Sequence, residues 1–296
     1  MGTNDGAVKF GLRYASLGRW GRGRNAVQLA QAAEEAGFES IWTVEHVVVP
    51  KAYRSRYPYS ADGRMGMVED FPIPDPIVWM SFVASATERI KLGTAILIVP
   101  QRNPVVTAKA LATLDDMAGG DRVLAGIGVG WLEEEFSALG VPFADRGPRT
   151  DEYVAAWRAL WSQQCATFEG TFVNFRDVYC NPRPPSGSIP IIVGGDTRAA
   201  ARRAGRLGDG YFPARGNPTE LYDEMRRAAE AAGRDPDAIE ISAAAPPDPA
   251  EIDALIKAGV RRIMVPVSGA AGLPPLVKDP DEVLRYGREV IARYTG

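Results

Sequence analysis

Histidine is almost missing from this chain: among 296 residues there is one, His46. Cysteine is nearly as scarce. Cys165 and Cys180 share no CxxC spacing, so no disulfide framework, metal site or dithiol redox motif is expected. A basic excess is also lacking. The formal net charge is −3, which argues against general nucleic-acid binding. No apolar run approaches the roughly 18 residues of a membrane span. The first eight residues lack the charged head and apolar core of a signal peptide, so the cytoplasm is the expected compartment. No GxGxxG follows the first strand-like run, which weakens the case for an open dinucleotide-binding sheet.

What is present is alternation. Short β-rich runs at 8–14, 38–44, 91–99, 122–129, 189–194, 209–213, 238–243 and 260–267 alternate with helical patterns. Helices are predicted at 25–36 with Asn25 as N-cap, 76–87, 104–117, 132–139, 149–161, 197–206, 218–232, 249–257 and 279–294. Two stretches break the rhythm: an irregular segment at 47–74, and an aromatic–polar alternation at 167–179 that reads as a hairpin. Runs such as "AILIV", "IPIIV" and "RIMVPV" suit parallel strands covered on both faces. Eight such units predict one α/β domain over residues 1–296. It is a (β/α)₈ TIM barrel with a long loop after strand 2 and a hairpin insertion before strand 5. Chemistry then belongs to the loops at the C-terminal strand ends: 16–24, 45–74, 97–103, 128–135, 194–198, 213–217 and 267–273.

Four features fall there. His46 follows strand 2, preceded by Glu45, where an imidazole can transfer a proton or simply pack under the loop. Gly194-Gly195-Asp196-Thr197-Arg198 joins a strand to a helix. Its glycines permit close backbone approach and its first-turn N–H groups suit a phosphate, while a plain turn with Thr197 as N-cap is the other reading. Gly128 and Gly130 either make room for a flat ring or serve turn geometry, and Glu133, Glu134 and Glu135 read as a solvated first helical turn. The 47–74 segment carries Lys51, Tyr53, Arg54, Arg56, Tyr57, Tyr59 and Arg64, a mixture suited to a lid over an anionic, ring-bearing ligand or to a solvated loop. Trp20, Trp42, Trp79 and Trp131 are candidate pocket walls, with core packing the simpler reading for Trp42 and Trp79.

Four segments in this order resemble the luciferase-like monooxygenase superfamily, and within it the actinobacterial F420-dependent oxidoreductases. They are "AEEAGFESIWTVEH", "RIKLGTAILIVPQRNPVVTAKALATLDDMAGGDRVLAGIGVGWLEEEF", "RGPRTDEYVAAWRALW" with "FEGTFVNF", and "IPIIVGGDTRAAARRAGRLGDGYFP". The resemblance spans almost the whole chain. It implies coenzyme F420, with FMN as the alternative, bound at the C-terminal mouth of the barrel. By motif, Glu45 and His46 match an acidic–His pair beside the ring, although Asp is usual where Glu45 stands. Ala95 and Ile96 match a strand-three bulge that often holds a non-proline cis peptide. Gly128 and Gly130 match the turn near the ring, and Gly194, Gly195, Asp196, Thr197 and Arg198 match the phosphate loop. Trp131 stands where the family's sugar-phosphate dehydrogenases carry a catalytic glutamate, which argues against that activity.

The resemblance therefore implies hydride transfer between F420 and a small-molecule substrate, with His46 moving a proton or positioning the ring and Glu45 tuning it. The rival is an FMN-dependent monooxygenase using reduced flavin and oxygen. A barrel that binds cofactor without turnover, or one that handles a sugar phosphate without redox chemistry, remains open. A homodimer is implied by the same resemblance.

Overall fold

A computed structural model describes residues 8–66, 71–215, 218–270 and 274–295. Residues 1–7, and parts of three loops expected at the barrel mouth (67–70, 216–217 and 271–273), lie outside the described residues.

The chain opens on β1 (Lys9–Arg13), α1 (Gly23–Glu35) and β2 (Ser40–Thr43), and then runs from 44 to 75 without helix or strand among the described residues. α2 (Pro76–Ala84), β3 (Lys91–Thr94), β4 (Leu97–Ile98), α3 (Pro104–Met117) and β5 (Val123–Gly128) follow. Next come α4 (Glu133–Ala138), α5 (Arg146–Ser162) and the hairpin β6 (Ala166–Glu169) with β7 (Asn174–Val178). The chain finishes with β8 (Ile191–Gly194), α6 (Arg198–Leu207), β9 (Gly210–Phe212), α7 (Thr219–Ala231), β10 (Glu240–Ala244), α8 (Ile252–Lys257), β11 (Val260–Pro266) and α9 (Pro280–Glu289).

All neighbouring barrel strands pair in parallel, in the order β3-β2-β1-β11-β10-β9-β8-β5, and a β3–β5 pairing closes the ring. Eight strands alternating with helices make the (β/α)₈ barrel that the apolar runs predicted, and β6–β7 is the antiparallel insertion before the fifth barrel strand. No helix among the described residues is long and apolar enough to cross a membrane.

Local chemistry explains most boundaries. Asp75 and Asn103 cap α2 and α3 by accepting two backbone N–H bonds each, with Pro76 and Pro104 at the first helical positions. Thr197 caps α6 by accepting from Ala200 N. Three expectations shift. Asn25 is not the N-cap of α1, because the helix begins two residues earlier and Asn25 Nδ2 instead donates to Arg19 O. α5 starts at Arg146, one turn before position 149. Pro148 lacks an N–H that the first turn leaves unpaired anyway, and Arg149 closes that turn on Asp145 through backbone and side chain. The apolar run 91–99 is not one strand but β3 and β4, divided at Ala95–Ile96, whose peptide bond is cis.

Inside the barrel a layer of Trp42, Leu124, Ile192, Phe212 and Met264 fills the space, as in other barrels of this size. Trp42 fits because Gly11 and Gly93 face it: a Cβ at Gly93 would lie 2.4 Å from the indole. Below it, Arg262 bridges Glu39 (3.2 Å) and Glu240 (2.9 Å), with Lys9 on Glu240 (2.6 Å) and Lys91 beside Glu39 (3.6 Å). This charge cluster closes the N-terminal end of the barrel.

Candidate active site

The opposite, C-terminal end opens into a cavity of about 800 Å³. That volume suits a ring system plus a small organic molecule, since ligand sites typically span roughly 300–1,000 Å³. Its surface is largely apolar, and polar side chains converge on it from β1, the 44–75 segment, the turn after β8, α5 and α6.

His46 faces the cavity just beyond β2. Its Nδ1 lies 2.9 Å from Glu135 Oε2. Glu135 is fully buried on α4, and its Oε1 accepts from Val47 N (2.6 Å) and Val48 N (3.3 Å). With the carboxylate accepting on both oxygens, Nδ1 carries the imidazole proton and Nε2 is the nitrogen left to the cavity. Trp131 meets the imidazole edge-on at 5.9 Å between centroids, and Tyr53 and Tyr57 pack edge-on against the same indole.

This corrects the expectation for Glu45. It makes no hydrogen bond to His46, and its hydrogen bonds go elsewhere. Oε2 accepts from Ile98 N, while Oε1 takes Arg102 Nε at 2.7 Å, and Arg102 also pairs with Asp75. Burial pushes the Glu45 carboxyl above the usual range, and the Arg102 guanidinium and Ile98 N–H oppose that. Glu45 thus braces the segment just after the Ala95–Ile96 bulge. The orienting acid is Glu135, which the sequence presented as one of three solvated glutamates. Glu134 is likewise engaged, accepting from Arg54 N (2.6 Å) and the Ser55 hydroxyl (2.7 Å). α4 therefore clasps the 47–55 stretch through backbone amides.

Ala95 and Ile96 line the cavity, and so do Gly128, Gly130 and Gly194. These glycines make room for protein before ligand: a Cβ at Gly128 or Gly194 would fall 2.6 Å and 2.5 Å from the Ile96 side chain, and one at Gly130 2.7 Å from Phe136. They let the Ile96 bulge seat itself between β5 and β8.

Gly195, Asp196 and Thr197 also line the cavity, but Arg198 is exposed and does not. The loop's donors are partly committed. Gly195 N donates to Phe212 O at 3.2 Å, and the Asp196 carboxylate accepts from Ala214 N. In the first turn of α6 the Thr197 hydroxyl already takes Ala200 N, and the Arg198 and Ala199 N–H groups are the ones a helix start leaves without an intrahelical acceptor. Two cations that sequence reasoning missed adjoin it: Arg146, whose Nε donates to Gly130 O, and Arg203, which pairs with Asp151. From the long segment Arg56, Tyr57, Tyr59 and Met65 roof the cavity. Burial pushes the Tyr57 and Tyr59 hydroxyls upward, so both stay neutral donors. Of the four candidate tryptophans only Trp131 lines the cavity. Trp42 and Trp79 are core, and Trp20 is buried with its carbonyl on Trp79 Nε1.

Comparison with known proteins follows the same lines. The F420-dependent glucose-6-phosphate dehydrogenase of Kineococcus radiotolerans is 34% identical over 303 residues, covering 97% of this chain and 82% of that one. Among solved structures, an F420-dependent secondary alcohol dehydrogenase in complex with an F420-acetone adduct superposes with a TM-score of 0.73 at 18% identity, over 97% and 98% of the two chains. A monooxygenase from Streptomyces bottropensis does so with a TM-score of 0.71 at 24% identity, also over 97% and 98%. The luciferase-like monooxygenase family model matches residues 10–293, and the chain belongs to that family.

Proposed function

We propose that the protein is an F420-dependent oxidoreductase that transfers a hydride between the deazaflavin and a small organic substrate. The observation that carries this reading is the oriented His46–Glu135 pair facing a largely apolar cavity beside the Ala95–Ile96 bulge. The relatives named as F420-dependent support the choice of cofactor. The residues fit such a group: Ile96 and Ile98 offer an apolar surface for a flat ring, Gly128 and Gly130 border it, and the first turn of α6 with Arg146 and Arg203 suits its phosphate.

When bound, the deazaflavin supplies the carbon that carries the hydride. The protein's own work is positional. Glu135 fixes the imidazole, and His46 Nε2 gives or takes the proton that accompanies hydride transfer. Tyr57, Tyr59 and Met65 exclude water from above. Glu45, through Ile98 N, holds the bulge in place. Trp131 leaves no carboxylate where the sugar-phosphate dehydrogenases of the family use one, which argues against that activity.

Equilibrium binding of F420 and of FMN, side by side, by change in cofactor fluorescence tests the reading. Tight F420 and weak FMN binding supports it. The reverse moves the protein to the oxygen-using flavin monooxygenases, and binding of neither removes the redox reading. The protein also forms a homodimer in this reading, supported by the exposed apolar side chains Val78, Phe82, Val105 and Val106 on α2 and α3.

A further inference from the structure

Arg13 ends β1 at the cavity and is only 1% exposed. Its Nη1 donates to Ala214 O at 3.3 Å. Its Nε and Nη2 have no hydrogen-bond partner among the described residues. Those two N–H groups share one edge of the guanidinium, the edge that makes two parallel bonds to a carboxylate. Asp196 acts on Arg13 at longer range, but its own carboxylate is held by Ala214 N. A buried cation with an unmatched edge is costly unless an anion completes it.

The surroundings define what that anion carries. The guanidinium carbon lies 4.7 Å from the Tyr14 ring centroid and 5.5 Å from that of Phe212. Both rings line the cavity, with Leu17 beyond. In the ring of strands β1 is opposite β8, and the Arg13 side chain reaches over toward the end of β9, where Ala214 takes its Nη1 and Asp196 lies nearby. We propose that Arg13 anchors the substrate, through Nε and Nη2, by a carboxylate on an apolar or aromatic body that packs against Tyr14 and Phe212. A single two-donor edge, with Asp196 nearby, matches a monoanion better than a phosphate. The inference rests on the oxidoreductase reading only in calling that acid the redox substrate.

Calorimetric titration of F420-saturated protein with benzoate, its neutral isostere benzamide and inorganic phosphate tests it, after F420 affinity has been read by fluorescence. Benzoate should bind the natural protein at least tenfold more tightly than benzamide and than phosphate. Arg13→Met should abolish the preference and Arg13→Lys restore only part of it, with F420 affinity unchanged within about twofold and an undiminished melting temperature. Benzoate binding no tighter than benzamide in the unmutated protein overturns the proposal without any variant. So does a preference that survives Arg13→Met, a stronger hold on phosphate, or loss of F420 binding in folded Arg13→Met. If neither F420 nor FMN binds but cofactor-free protein still prefers benzoate through Arg13, the carboxylate site stands and the oxidoreductase reading fails.

Discussion

Single side chains at the mouth of the barrel divide into those that meet ligand and those that hold others still. In the proposed reaction His46 belongs to the first group. His46→Ala should keep the fold and cofactor affinity while lowering kcat by about 10²–10⁴-fold, the usual contribution of a positioned acid–base group. Undiminished turnover with the true substrate would remove it from the mechanism. Glu135 belongs to the second. Glu135→Ala deprives the imidazole and two loop amides of their acceptor at once, and each buried donor left unmatched costs about 1–3 kcal/mol. The variant should therefore melt earlier and lose kcat together, whereas Glu135→Gln should recover stability more than rate. Glu134 gives a pH signature. Burial works against its ionisation, but the Ser55 hydroxyl and the Arg54 and Ser55 amides outweigh that and hold the carboxyl at about 2, below its ordinary 4.5. A depressed carboxyl contributes stability that is complete above the unfolded value and disappears as pH falls through the folded one. The difference in unfolding midpoint between the natural protein and Glu134→Gln should thus be flat above pH 4.5 and vanish toward pH 2.

Elements explain why some of this was readable beforehand and some was not. α3 was legible end to end, because Asn103-Pro104 starts a helix by local chemistry that no distant contact overrides. The Ala95–Ile96 division of β3 from β4 was legible only by resemblance, since "AILIV" looks like one uninterrupted strand. Glu135 was illegible because three glutamates opening a helix look the same whether solvated or buried, and the amides it receives come from 88 and 87 residues away. Arg13 was hidden for a related reason: within "KFGLR" nothing local tells which strand face an arginine takes. The junction of β5, β8 and the bulge makes a prediction of its own. Gly128→Ala and Gly194→Ala each push a methyl into Ile96, and overpacking of this kind costs about 1–3 kcal/mol. Both should weaken cofactor binding more than they lower the melting temperature, as measured by fluorescence titration and thermal unfolding.

The whole molecule separates function from stability along the barrel axis. Its C-terminal mouth carries the cavity, while its N-terminal end is closed by Arg262 with Glu39, Glu240, Lys9 and Lys91. Arg262→Met should destabilise by less than the roughly 3–5 kcal/mol typical of a broken buried pair, because Lys9 and Lys91 still face the two acids. It should leave cofactor affinity untouched. On the outside, Phe82→Glu with Val106→Glu should convert the proposed dimer to monomer in sedimentation experiments, and a monomeric unmutated protein would dispose of that arrangement. One carboxylate has a further consequence. Since Glu135 grips both the imidazole and the amides that begin the roof, whatever lifts that stretch also unhooks the ring. In the proposed reaction a displacement of that stretch would therefore release the imidazole from the carboxylate that orients it, which couples the seating of the 47–48 backbone to the readiness of the acid.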